Sequence, residues 1–293
     1  MKTSSRARLV VSLAFSAVAA LTVAAGLGAQ PDFSEVVIST HHVAGTVHYL
    51  EGRGGNIGLS IGDEGVVMID DQFAPLSERI YAAVQGISNG DIRFLINTHV
   101  HGDHTGGNAN FAAMGVPIIA QDRVRSRLAL TRPPEALPVM TYSEDVTIHL
   151  NGEEVRVLPM PPGHTDGDSI IHFVDSDVIH TGDMFRTVAF PVIDRGNGGT
   201  LSGTIDSLGI LAGMAGPDTK ILPGHGVISG RADVIEFRDM VITVAGRVEK
   251  LVKDGAGSYD EVLAADPTAE YNDKWGDPNR FLTAVYEEIA GAD

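Results

Sequence analysis

Apolar positions recur along residues 44–253 in two rhythms, and together they predict short strands alternating with helices. Residues 44–50 and 57–61 read as strands around the turn Glu51-Gly52-Arg53-Gly54-Gly55-Asn56, and the continuous run at 65–69 reads as a buried strand ending at Asp70-Asp71. Leu76, Ile80, Val84 and Ile87 have helical spacing, which predicts a helix over 75–87 ahead of a strand at 92–97. A helix at 105–114, a strand at 117–119 and a helix at 121–131 follow. Between Arg132 and Met140, Pro133, Pro134 and Pro138 forbid both a helix interior and a central strand. That stretch reads as a loop over the mouth of a site, or as an ordinary surface connection. Asn151-Gly152 between two strand-like runs, 146–150 and 155–158, predicts a type I′ hairpin.

Strands are expected at 169–174, 177–181 and 220–222, with a glycine-rich passage at 195–203 and a helix at 201–214. Helices at about 230–253 and 278–290 predict a helical cover, with residues 257–293 as a C-terminal helical extension. The run at 66–70 is echoed at 178–183, and a strand leads to a histidine at 92–99 and again at 220–225. Two similar halves facing each other would bring these strand ends to one edge, where the sites of layered α/β folds lie.

The first residues follow a different pattern. Lys2, Arg6 and Arg8 precede an apolar run from Leu9 to Leu27, and Gly26, Gly28 and Ala29 supply a small-residue exit. Residues 1–29 therefore read as a secretory signal peptide cut at about position 26–30, and 30–293 as one domain of a periplasmic or secreted protein. An uncleaved anchor is the alternative, because the run approaches membrane-spanning length. Cleavage removes three cations and no acid, so the formal charge moves from −17 to −20. Without a basic footprint, nucleic acid is excluded as a partner. The expected partner is a small-molecule substrate, with no stable membrane association after cleavage; oligomeric state is left open. There is no cysteine, so any metal must be held by nitrogen and oxygen.

The chemistry concentrates in Thr98-His99-Val100-His101-Gly102-Asp103-His104, at the exit of the strand at 92–97. Alternation in an extended exit would put His99, His101 and Asp103 on one side, with His104 at the start of a helix, so one loop could feed two metals. Three further candidates stand beside glycine at strand ends: His164 in Pro162-Gly163-His164, Asp183 in Thr181-Gly182-Asp183, and His225 in Pro223-Gly224-His225. By contrast, His149, His172 and His180 read as packed or half-exposed residues, and His41, His42 and His48 join no motif.

This order of H-x-H-x-D-H, later His, later Asp and last His resembles the metallo-β-lactamase superfamily over nearly all of residues 40–255. The resemblance implies an α/β fold, an αββα sandwich of two mixed sheets flanked by helices. It puts His99, His101 and His164 on a first metal and Asp103, His104 and His225 on a second, with Asp183 bridging and Asp70 orienting a ligand histidine. Two Zn²⁺ per chain are implied, although an N/O-only set also suits iron or manganese. Oxidative diiron relatives carry Glu at the position of His101, so the histidine here favours a hydrolase.

The implied reaction is attack by a metal-bound hydroxide on a carbonyl C–N or C–O bond, with Asp103 and Asp183 as the catalytic carboxylates. Arg186, three residues beyond Asp183, matches the position of a substrate-anchoring lysine in the β-lactamases that use Cys where this chain has Asp183. A β-lactamase-like hydrolase is the first expectation. Lactonase or esterase activity, a thioesterase of the glyoxalase II kind, and a non-catalytic zinc-binding protein are the alternatives. A glutathione thioester is disfavoured because Lys274 and Arg280 are the only cations after residue 255.

Overall fold

Alternation along the strands decides which layer each side chain joins, and β4 (Gly65–Ile69) shows how. Val66 and Met68 point outward into one apolar cluster, while Val67 and Ile69 point inward into another. The computed structural model describes residues 32–291; the expected signal peptide at 1–29 lies outside them. Residues from Phe33 onward form one compact unit.

The first sheet runs in chain order: β1 (Ser39–Ala44), β2 (Val47–Glu51), β3 (Ile57–Gly62), β4, β5 (Ile92–Asn97), β6 (Ile118–Gln121) and β7 (Met140–Tyr142). It is mixed, antiparallel through β4 and parallel from β4 to β7. The second sheet has the order β12 (Lys220–Leu222), β11 (Val178–His180), β10 (Ser169–Phe173), β9 (Glu153–Pro159), β8 (Val146–Leu150), with only β11 and β12 parallel. Asn151 and Gly152 both adopt positive φ between β8 and β9, as the expected hairpin requires.

Between the sheets, Val67, Ile69 and Ile96 from one side meet Val157, Ile171, Phe173 and Leu222 from the other. The outer face of the first sheet packs Leu59, Met68 and Leu95 against Leu76, Ile80 and Val84 of the α1 region (α1, Ser77–Gln85) and Phe111 of α3. Here α2 is Gly102–Thr105, α3 is Asn108–Ala113 and α4 is Asp122–Leu128. The outer face of the second sheet packs Ile170, Ile179 and Ile221 against α5 (Leu201–Met214), α6 (Arg231–Lys253) and, after α7 (Tyr259–Ala264) and α8 (Asn272–Trp275), α9 (Asn279–Ala290). The layers are therefore helix, sheet, sheet, helix, the αββα sandwich. Each fully buried aliphatic or aromatic side chain in these layers is worth about 1.5–3 kcal/mol.

Several boundaries differ from expectation. The strand expected at 44–50 is β2, which starts only at Val47 after a turn, and β1 was unanticipated because Ser39–Ala44 is a polar, largely exposed edge strand with little apolar alternation. The proline-rich stretch 132–140 ends by entering β7, where Val139 N donates to Ile118 O at 2.9 Å. Of the two readings, the connection along the sheet edge describes its far end, while Arg132 at its start lies against Gly102 of the histidine loop.

Candidate metal centre

Because β4 pairs parallel with β5, and β11 with β12, all four strands run out into turns that carry the candidate site residues. Asp70 follows β4, Thr98 and His99 follow β5, Asp183 follows β11, and His225 follows β12. His101 is extended, and α2 begins immediately after it, so Asp103 and His104 belong to the first turn.

All seven expected side chains converge. His99 Nε2 is 3.2 Å from His101 Nδ1, and His164 Nε2 is 2.8 Å from the same atom. His225 Nε2 lies 3.1 Å from Asp103 Oδ2 and 3.4 Å from His104 Nε2. Asp183 sits between these two groups: its Oδ1 is 3.1 Å from His104 Nε2 and 3.3 Å from His225 Nε2, and its Oδ2 is 3.8 Å from His164 Nε2. Three clusters could each hold an ion: His99, His101 and His164; His99, His104 and Asp183; and Asp103, His104 and His225.

The outer ring nitrogens fix the tautomers. His104 Nδ1 donates to Asp70 Oδ2 at 2.7 Å, His101 Nε2 to Asp194 Oδ2 at 2.7 Å, and His164 Nδ1 to Val192 O at 2.6 Å. Thr98 Oγ1 gives its one proton to Asp70 Oδ2, so it accepts from His99 Nδ1 at 3.0 Å. With their outer nitrogens donating, His99, His101 and His164 turn bare lone pairs toward one another at about hydrogen-bond distance. Asp183 Oδ1 is buried against His104 Nε2 and His225 Nε2. Nitrogen lone pairs facing each other without a proton between them are an arrangement a cation satisfies, and a cation can likewise replace a proton shared between carboxylate and imidazole, so the donor set fits metal ions.

Electrostatics separate the two groups. Burial pushes His99 well below the usual histidine value and His164 down to about 4, keeping both neutral. For His104, burial opposes charge, but the Asp183 and Asp70 carboxylates outweigh it and raise the pKa well above the usual value. Burial likewise opposes ionisation of Asp183, yet His104 holds it well below the carboxylate range. Burial works against Asp103 too, but the His225 hydrogen bond holds it at about 2. The glycine of Gly54-Gly55 matters here because a Cβ at Gly55 would collide with the His104 ring.

The cluster opens into a cleft of about 410 Å³, a small-molecule size, also walled by Phe73, Val192, Arg186 and Arg280. Asp194, Val192 and Arg280 were not singled out from the sequence. Asp194 stands among turn residues, Asp194-Arg195-Gly196-Asn197, where an Asp is ordinary, and its partner is 93 positions away.

Residues 50–225 match the family model of the metallo-beta-lactamase superfamily. Among curated relatives, the 2,4-dinitroanisole O-demethylase subunit alpha of Nocardioides sp. is 28% identical over 43% of this chain and 42% of its own length. A hydroxyacylglutathione hydrolase of Methylococcus capsulatus is 25% identical over 59% and 64%, so the chain spans less than two thirds of either protein. A second such hydrolase, from Polaromonas sp., is 29% identical over 68% of this chain and 73% of its own. The solved metallo-beta-lactamase from Pontibacter korlensis superposes with a TM-score of 0.61 at 16% identity, over 70% of this chain and 99% of that one. The DIM-1 metallo-beta-lactamase gives 0.63 at 15%, over 71% and 99%. On the family match, the convergent histidines and the shared fold, the chain belongs to the metallo-beta-lactamase superfamily.

Proposed function

We propose that this chain is a dinuclear zinc hydrolase that opens a carbonyl C–N or C–O bond in a small molecule. The observation that carries the reading is the convergence of seven nitrogen and oxygen side chains, with three histidines turning bare lone pairs inward on one side of the buried Asp183 carboxylate and Asp103, His104 and His225 gathered on the other. His99, His101 and His164 would hold one ion and Asp103, His104 and His225 the other, with Asp183 shared. Bound there, the ions would supply Lewis acidity toward a carbonyl and make hydroxide available near neutral pH.

The chain's own groups do the rest. Asp103, ionised and part-exposed in the cleft, is available to orient the attacking water and accept its proton. Asp70, Thr98, Val192 and Asp194 fix the ring orientations, so no reorganisation is needed during turnover. Phe73 and Val192 give the cleft an apolar wall, and Arg186 and Arg280 give it positive charge for an anionic substituent.

A second reading, thioester hydrolysis, is supported by Arg280. The helical C-terminal region supplies a cation to the cleft, which the sequence had left as cover, and the hydroxyacylglutathione hydrolases among the relatives favour the same substrate type. The leader-like pattern of residues 1–29 supports export, hence a substrate met outside the cytoplasm.

The deciding experiment assays the metal-depleted and Zn²⁺-restored protein on β-lactam, lactone, ester and thioester panels. Activity should vanish with chelator, return with Zn²⁺ and show no burst of a covalent intermediate. Chelator-resistant turnover, or an acyl group trapped on a side chain, contradicts the proposal.

A further inference from the structure

The turns carrying Asp183 and His225 are joined by a closed ring of four hydrogen bonds. Asn56 N–H donates to Gly224 O at 2.7 Å, and Gly224 N–H donates to Gly182 O at 2.7 Å. Gly182 N–H donates to His180 Nδ1 at 3.1 Å, and His180 Nε2 returns to Asn56 O at 3.0 Å. The directions are consistent: an amide proton occupies the Nδ1 lone pair, so the imidazole proton resides on Nε2 and points at the Asn56 carbonyl.

Asn56 and His180 are both buried, at 4% and 0% exposure, so water does not replace these bonds easily. The Asn56 side chain adds two more: Nδ2 donates to Pro223 O at 2.9 Å and to Gly226 O at 3.0 Å, bracketing His225 on both sides. The turn presses directly on the neighbouring carboxylate, since a Cβ at Gly224 would collide with Asp183 Oδ1. Asn56 enters β3 of one sheet and His180 ends β11 of the other, so the ring also ties the two halves of the sandwich together at the site.

We infer that Asn56 and His180 are positioning residues for the metal subsite of Asp103, His104 and His225 with Asp183, setting its geometry through the turns they join. This rests on the metal-binding reading above. The other subsite is held differently: the outer nitrogens of His99, His101 and His164 go to Thr98, Asp194 and Val192, and none of those bonds runs to Asn56 or His180. Asp183 is shared, but His225 and its turn serve this subsite alone, so breaking the ring weakens this subsite more than the other. Partners that orient metal ligands at one remove typically change metal affinity about 10–100-fold.

The test is a Zn²⁺ titration of the full chain against a chromophoric chelator, on wild type, Asn56→Ala and His180→Phe. Wild type should take up two ions in resolvable steps. Each variant should lose about 10–100-fold on the step that His225→Ala abolishes and clearly less on the step that His101→Ala abolishes. His180→Phe preserves the ring's bulk, so the comparison stands if Asn56→Ala does not fold. Equal weakening of both steps, or no weakening, with wild type binding two ions, overturns the brace alone. Wild type that binds fewer than two ions overturns the metal-binding reading and the brace with it.

Discussion

Asp70 Oδ2 accepts a hydrogen bond from His104 Nδ1 at 2.7 Å, with both side chains completely buried. The same carboxylate accepts from Thr98 N and Thr98 Oγ1, each at 2.7 Å, so it grips the histidine loop where that loop leaves β5 and again where it enters α2. Asp70 reaches this position with φ at 63°, a left-handed conformation that a side-chain-bearing residue holds only where its surroundings compel it.

Replacing Asp70 by Ala leaves three buried donors without an acceptor, each costing about 1–3 kcal/mol. Asp70→Ala should therefore lower the unfolding free energy of metal-free protein by at least about 3 kcal/mol, read by urea denaturation. It should also weaken Zn²⁺ at the His104 subsite about 10–100-fold. A variant with wild-type stability and metal uptake would show that the contact positions nothing.

Asp183 lies within 4 Å of histidines from both subsites, through His164 on one side and His104 and His225 on the other. Elemental analysis should give two ions per wild-type chain and no more than one for Asp183→Ala. Two ions retained by that variant would remove Asp183 from its bridging role.

How much of this was legible depended on range. The seven convergent residues stand in short, glycine-flanked motifs at strand ends, so local pattern was enough to find them, and the αββα layering came with the family resemblance those motifs carry. What escaped notice is set by contacts between distant segments. His101 and Asp194 are 93 positions apart, and no spacing rule links them. Asn56 looked like a turn residue and His180 like a packed strand histidine; the second is indeed buried in β11, yet its bonds tie it to the site. Polar β1 and three-residue β7 carry too little periodicity to register, because their neighbours in the sheet, rather than their own composition, make them strands.

The histidine shifts predict how metal-free protein responds to pH. Burial lowers His99 and takes His164 from 6.5 to about 4, so below pH 6.5 the unfolded chain binds protons that the folded chain refuses, and stability falls as pH drops. For His104 and His225 burial is outweighed by the neighbouring carboxylates, and both pKa values are raised. Their stabilisation is complete below 6.5 and is lost as pH rises through the folded values. Buried Asp71 and Asp168 add to the loss at higher pH, since burial raises both, Asp168 to about 7, so maximal Tm of chelator-treated protein falls at or below about pH 6.5. Zn²⁺ should flatten the alkaline side, since it replaces the protons on His104 and His225, and calorimetry in buffers of different ionisation enthalpy should detect their release. A chelator-treated Tm that goes on rising above about pH 6.5 contradicts this assignment.

Arg186 and Arg280 set the last prediction. Arg186 follows Asp183 by three residues and forms a backbone bridge with His225, so its position is tied to the metal centre. Its Nε is buried without a hydrogen-bond partner. Arg280, in the first turn of α9, reaches the same cleft from the C-terminal region. In a chain of net charge −17, two arginines at one cleft without an acidic partner among the described residues mark a place for an anion from outside. A guanidinium grips a carboxylate through paired charge-assisted bonds, each worth about 1.5–3 kcal/mol when desolvated. Arg186→Ala should therefore raise KM for carboxylate-bearing substrates about tenfold or more and leave neutral lactones unchanged. Arg280 is more exposed, so Arg280→Ala should have a smaller effect in the same direction, one that salt weakens further. The double variant should lose the preference for charged over neutral substrates. Equal losses on both substrate types, or none on either, would return both arginines to the general surface and leave selectivity to Phe73 and Val192.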